Sequence, residues 1–104
     1  MSGPPGRAHE LLPTTLIGRR AFVAADVGGK HVLMSADKGV YIGLDAVGKA
    51  IWQCLETPLT IAALCELLEA AYLVSDRAAF ERDVTNFIEG LRLNGLVEPL
   101  SDST

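Results

Sequence analysis

Between Val40 and Leu55 the spacing of hydrophobic positions changes from every second residue to every third or fourth. Val40, Ile42 and Leu44 fall on one side of an extended strand, whereas Val47, Ala50, Ile51, Cys54 and Leu55 share one stripe of a helix. Asp45 stands at the change of period, where its carboxylate can cap the first free N–H groups of that helix. A strand therefore feeds directly into a helix. Upstream, Ala21 to Asp26 is short and β-capable, and Lys30 to Ala36 alternates. Gly28-Gly29 supplies the positive φ values of a tight hairpin, and Asp37-Lys38-Gly39 marks a second turn. The pattern predicts an antiparallel meander of three strands in which the third, Val40 to Leu44, is an edge.

Three helices follow. The first runs from about Asp45 to Glu56 and stops at Thr57-Pro58. The second has Thr60 as its N-cap and a stripe of Ile61, Leu64, Cys65, Leu68, Ala71 and Tyr72. Ser75 and Asp76 open the third, whose stripe is Phe80, Val84, Phe87, Ile88 and Leu91 and whose end is Asn94-Gly95. The fold class is α+β and winged-helix-like, a three-stranded antiparallel β-meander followed by three α-helices. Its strand edge can lie beside the late helix, and a groove of that kind takes up peptides. The small side chains Ala21, Ala24 and Ala25 leave the sheet dependent on helix packing, with Trp52, Phe87, Leu44, Ile42, Ile51 and Leu68 near the centre of the core.

A length of 104 residues suits one domain. Residues 1–14, rich in Pro and Gly, read as a flexible N-terminal arm, 15–99 as the domain, and 100–104 as a flexible tail. Apolar content of 49% and charged content of 21% exclude a disordered chain. No run approaches the roughly 20 apolar residues of a membrane helix, and no signal peptide is visible, so a cytoplasmic location with no membrane contact is expected. Cys54 and Cys65 read as reduced core residues. Neither they nor His9 and His31 have zinc-ligand spacing, so no metal is expected.

Catalytic machinery is not apparent. There is no nucleophile elbow, phosphate loop or HExxH pattern, and Asp37 and Asp45 read as turn and cap residues. No cofactor is expected. The net charge of −4 is concentrated in the helical half, where residues 60–99 hold seven acids against three bases. That balance disfavours nucleic acid as a partner, because phosphate binding needs clustered Lys and Arg.

The run Tyr41-Ile-Gly-Leu-Asp-Ala-Val-Gly-Lys-Ala-Ile-Trp52 resembles the "LN-x-x-(A/G)-x-x-I-W" signature of the PqqD family. Thr57 to Leu64 resembles that family's linker into helix two. Asp83-Val84, Phe87-Ile88, Leu91 and Gly95-Leu96-Val97 are similar to its third-helix ending. Asp45 departs from the usual Asn, though both can cap. The resemblance covers roughly residues 20–98 and is nearer to the stand-alone leader-binding subunits of lasso-peptide pathways than to the pyrroloquinoline-quinone members.

Such a recognition element for ribosomally made, modified peptides (a RiPP recognition element) implies a non-catalytic protein. It would bind the leader segment of a precursor peptide by strand addition to the third strand against the third helix. It would then present that peptide to a modifying enzyme such as a leader peptidase or a radical enzyme. The implied peptide-binding residues are Val40, Tyr41, Ile42, Gly43 and Leu44 on the strand, with Ile42 taken as an edge donor, and Arg77, Phe80, Asp83, Val84 and Phe87 on the helix. Arg77, Asp83 and Asn86 would stand at the rim of that helix, where they could pair with charged or polar leader residues. The alternatives are a winged-helix DNA-binding domain, with Asp76 to Asn94 as recognition helix, and a homodimer through the edge strand.

Overall fold

A computed structural model describes residues 11–100. Its elements in chain order are β1 (Leu16–Arg19), β2 (Phe22–Val27), β3 (Lys30–Ser35), β4 (Tyr41–Leu44), α1 (Ala46–Cys54), β5 (Leu59–Thr60), α2 (Ile61–Ala71), α3 (Arg77–Leu93) and β6 (Val97–Leu100). The α+β class expected from the sequence is the class observed. The expected meander is β2-β3-β4, and its helices follow in the expected order. Gly28 and Gly29, with φ of 58° and 80°, make its first turn. In its second, the Gly39 amide donates to Ser35 O (2.8 Å) and the Ser35 amide to Val40 O (3.0 Å).

The structure adds a second antiparallel sheet, ordered β5-β1-β6, that the sequence pattern does not announce. β1 pairs Leu16 with Leu100 and Arg19 with Val97 on one side, and Ile17 with Leu59 on the other. β6 contains Pro99, which is tolerated because β6 is an edge strand. Of the expected arm, residues 11–14 are described: Pro13 O accepts from the Ala62 amide (3.0 Å) at the start of α2. His9 and residues 101–104 lie outside the described residues.

Each helix start carries the cap its sequence suggests. Asp45 Oδ1 accepts from the Gly48 amide at 2.7 Å, Thr60 Oγ1 from Ala63 at 3.1 Å, and Asp76 Oδ1 from Ala79 at 3.1 Å. α3 ends in a Schellman motif, with the Leu96 amide bonded to Leu91 O (2.9 Å) and the Gly95 amide to Arg92 O (3.0 Å).

The core joins both sheets to the helices. Of the six residues expected at its centre, Leu44, Ile51, Trp52 and Leu68 are buried, while Ile42 and Phe87 are half-buried against it. Ile17, Leu96 and Val97 join them from the second sheet and its approach. Cys65 is fully buried, which pushes its thiol above the ordinary value and keeps it unreactive.

Arg19 lies over the Trp52 ring (4.4 Å) and the Phe22 ring (5.3 Å), and one guanidinium amine donates to Trp52 O. Phe22 meets Trp52 edge-on at 4.9 Å. Trp52 thus links β1, β2 and α1. Replacing it by Ala is expected to cost about 3–5 kcal/mol in urea or thermal unfolding.

Candidate functional site

β4 has one neighbour, β3, and its other edge is unpaired among the described residues. The register pairs Leu33 with Ile42 and Met34 with Tyr41. Because Ser35 bonds to Val40 across the turn, the alternation of an antiparallel ladder makes Leu33–Ile42 and His31–Leu44 the hydrogen-bonded pairs. The N–H and C=O groups of Tyr41 and Gly43 therefore point outward. Ile42 bonds inward to β3, which corrects its expected part as an edge donor.

No loop separates β4 from α1. Asp45 alone lies between Leu44 and Ala46, so the strand edge and the first turn of α1 make one wall. α3 forms the other. A hollow of 280 Å³ at the strand end is bounded by Lys30, Gly43, Leu44, Asp45 and Phe87. It adjoins a second of 320 Å³ between α1 and α3, lined by Asp45, Val47, Gly48, Ile51, Phe80, Asp83, Val84 and Phe87. The two share Asp45 and Phe87 and form one groove.

Gly48 sets its depth. A Cβ placed there would lie 3.1 Å from Phe87 Cζ and 3.2 Å from Phe87 Cε1, so only glycine lets that ring come so close to α1. At the strand end, the Lys30 stem lies across Gly43, where a Cβ would stand 3.2 Å from its Cδ.

The structure brings together Gly43, Leu44, Phe80, Asp83, Val84 and Phe87 of the expected set. Val84 is 2% exposed and belongs to the core as much as to the groove floor. Tyr41 is 71% exposed, with its side chain on the outer face of the sheet. Val40 and Ile42 are half-buried and line neither hollow. Arg77 is directed away from the groove to Glu69 on α2 (3.0 Å). Desolvation opposes its charge, but the Glu69 hydrogen bond and carboxylate outweigh it and hold the guanidinium above its ordinary value. Asn86 is exposed on α3.

Asp45, Val47, Gly48, Ile51 and Lys30 are groove residues that the sequence pattern does not place there. Gly48, the one glycine in an otherwise bulky stretch of the α1 stripe, is the signal that points to a close approach. Among the described residues, no group of three His, Cys, Asp or Glu side chains could hold a metal ion, and no helix is long and apolar enough to cross a membrane.

An α+β domain with an open sheet edge held beside its last helix is the class that these features define. The profile of coenzyme PQQ synthesis protein D (PqqD) matches residues 30–97, and the chain belongs to the PqqD family. The sequence resemblance is thereby borne out. Two solved structures are similar. "TbiB1 in Complex with the TbiA(beta) Leader Peptide" is 36% identical with a TM-score of 0.66, over 79% of this chain and 94% of that one. "Lasso peptide synthetase B1 complexed with the leader peptide" is 26% identical with a TM-score of 0.66, over 80% and 98%. No curated protein matches the chain.

Gly48→Ala is expected to leave the melting temperature within a few degrees, because about 1 kcal/mol of helix propensity offsets the shifted Phe87 ring. Gly48→Val should cost about 1–3 kcal/mol by thermal unfolding, since its branches drive into that ring.

Proposed function

We propose that this chain is a non-catalytic recognition protein that binds the leader segment of a ribosomally made precursor peptide. The leader adds as a strand to β4 and lies against α3, and the chain presents it to a modifying enzyme of a leader peptidase and cyclase system in the cytoplasm. The observation that carries this reading is the edge of β4, unpaired among the described residues, where the backbone groups of Tyr41 and Gly43 face outward and the Gly43 end borders a groove walled by α3. An edge without proline or inward charge, and without cover among the described residues, is an invitation to strand pairing, and peptide addition satisfies it. Both structural neighbours are complexes with leader peptides, which supports the same use here. Residues 15–99 are the binding domain in this reading.

Charge argues against nucleic acid. Lys30 is the one base lining the two hollows, and the remaining charged residues there are Asp45 and Asp83. Self-pairing through β4 would compete with the peptide for the same backbone groups and would appear as a dimer by ultracentrifugation without ligand.

The test titrates isotope-labelled protein with the synthetic leader of the precursor peptide encoded beside its gene. Amide shifts are expected at Tyr41 and Gly43 and along the groove side of α3, with little change at Glu66 or Leu67 on α2. Gly43→Pro removes one outward donor at an edge position that proline tolerates, and it should weaken binding about ten-fold while the domain stays folded, the flexible Lys30 stem shifting to admit the ring. Unaltered affinity in that variant would remove strand addition to β4.

A further inference from the structure

The groove does not stop where β4 does. We propose that it carries a second seat for the same peptide at the α2–α3 loop, which takes an apolar side chain flanked by a basic residue. The proposal rests on the peptide-binding reading and extends it to residues that never touch β4.

A third hollow, of 300 Å³, lies beyond α1's first turn and shares Val47, Phe80 and Asp83 with the hollow beside Gly48. Its outer rim is Tyr72 and Leu73. Leu73 is fully exposed, and Tyr72 and Val47 are each 39% exposed. One exposed leucine is ordinary. Three apolar side chains around a concave surface that continues a groove are the mark of a binding surface. The chain could have placed polar residues here at no cost to its core, because Leu73 packs on nothing.

Charge narrows the occupant. From Asp45 to the loop, the charged residues lining the groove are Asp45, Asp76 and Asp83, and no base lines it among the described residues. Asp45 and Asp76 already accept helix-start amides. Asp83 is exposed and has no hydrogen-bond or ion-pair partner among the described residues, so its charge is available to a ligand. An apolar residue beside a Lys or Arg complements this stretch, and an acidic segment is repelled by it.

In this proposal the added strand continues the antiparallel pairing of the sheet. All its pairings are antiparallel. A strand added antiparallel to β4 runs from Leu44 towards Tyr41, so the segment that crosses to Leu73 lies N-terminal to the strand-forming residues. The peptide thus has two anchors, one read by the strand edge and one by the loop, separated by a stretch that crosses α1's first turn.

Panning the whole chain against a display library of random 20-residue peptides tests this, since the library imposes no sequence on the ligand. Twenty extended residues span about 70 Å, more than the 51 Å long axis of the domain. Selected peptides are expected to carry an apolar residue next to Lys or Arg, N-terminal to a β-forming stretch. They should bind Leu73→Ser about ten-fold more weakly. Asp83→Asn should flatten the salt dependence of their affinity. Peptides trimmed to the β-forming stretch should bind wild type and Leu73→Ser alike.

Binders that are lost in Gly43→Pro but indifferent to Leu73→Ser would overturn the second seat and leave strand addition standing. A library that yields no binder to the wild-type chain would overturn both.

Discussion

The direct junction of β4 with α1 is the constraint on which the site depends. A four-residue strand passes to a helix through the single residue Asp45, and the Asp45 carboxylate ties that turn to the Gly48 amide at 2.7 Å. A longer loop would separate the outer edge of β4 from the first turn of α1. With none, the outward backbone groups of Tyr41 and Gly43 and the first turn of α1 share one wall, and Phe87 closes on the other side at the position where Gly48 has no side chain. Strand edge, cap and glycine act as one device.

The second sheet keeps the opposing wall in place. α3 ends in a Schellman turn whose Leu96 is fully buried and whose carbonyl accepts from the Arg20 amide (2.9 Å) between β1 and β2. The Arg20 side chain reaches Asp37 in the β3–β4 turn and Glu98 on β6 (3.0 Å), which joins the two sheets. Arg19 performs the half-buried counterpart. Desolvation lowers its pKa, partly countered by Glu56, and its Nε lacks a partner, so its burial opposes folding. Against that stand the bond to Trp52 O near the end of α1, where a cation suits the helix dipole, and contact with two aromatic faces.

Much of this is legible in the chain. Paired glycines, alternation in Lys30 to Ser35 and Tyr41 to Leu44, and three capping side chains place the meander and helices to within a residue or two. β1, β5 and β6 are not legible, for physical reasons. Each has four residues or fewer, Gly18 and Pro99 weaken the strand pattern, and their pairing joins residues some 40 to 80 positions apart. For the site, side-chain alternation identifies the β4 edge but not which of its amides face outward, because that depends on the Ser35–Val40 closure of the turn. The hydrophobic stripe of α1 has the spacing of core, which hides Val47 and Ile51 as groove lining. Helix position alone puts Arg77 at the groove and takes no account of the Glu69 carboxylate that holds it elsewhere.

If a peptide pairs with β4 as proposed, magnitudes decide how the site must work. Tyr41 and Gly43 offer two N–H and two C=O groups, each worth about 0.5–1.5 kcal/mol net when paired. Their sum, about 2–6 kcal/mol, does not reliably exceed the roughly 4–15 kcal/mol lost when two molecules become one. Backbone pairing therefore sets direction and register but cannot hold a peptide by itself. The decisive term has to come from apolar side chains leaving water in the groove, at about 25 cal/mol per Å². On the proposed reading, the geometry of Phe87 against Gly48 would matter more to affinity than the length of β4. In the same reading, a strand too short to grip a ligand alone serves as the edge of a selective site: the edge would align the peptide, and the groove beside α3 would distinguish one sequence from another.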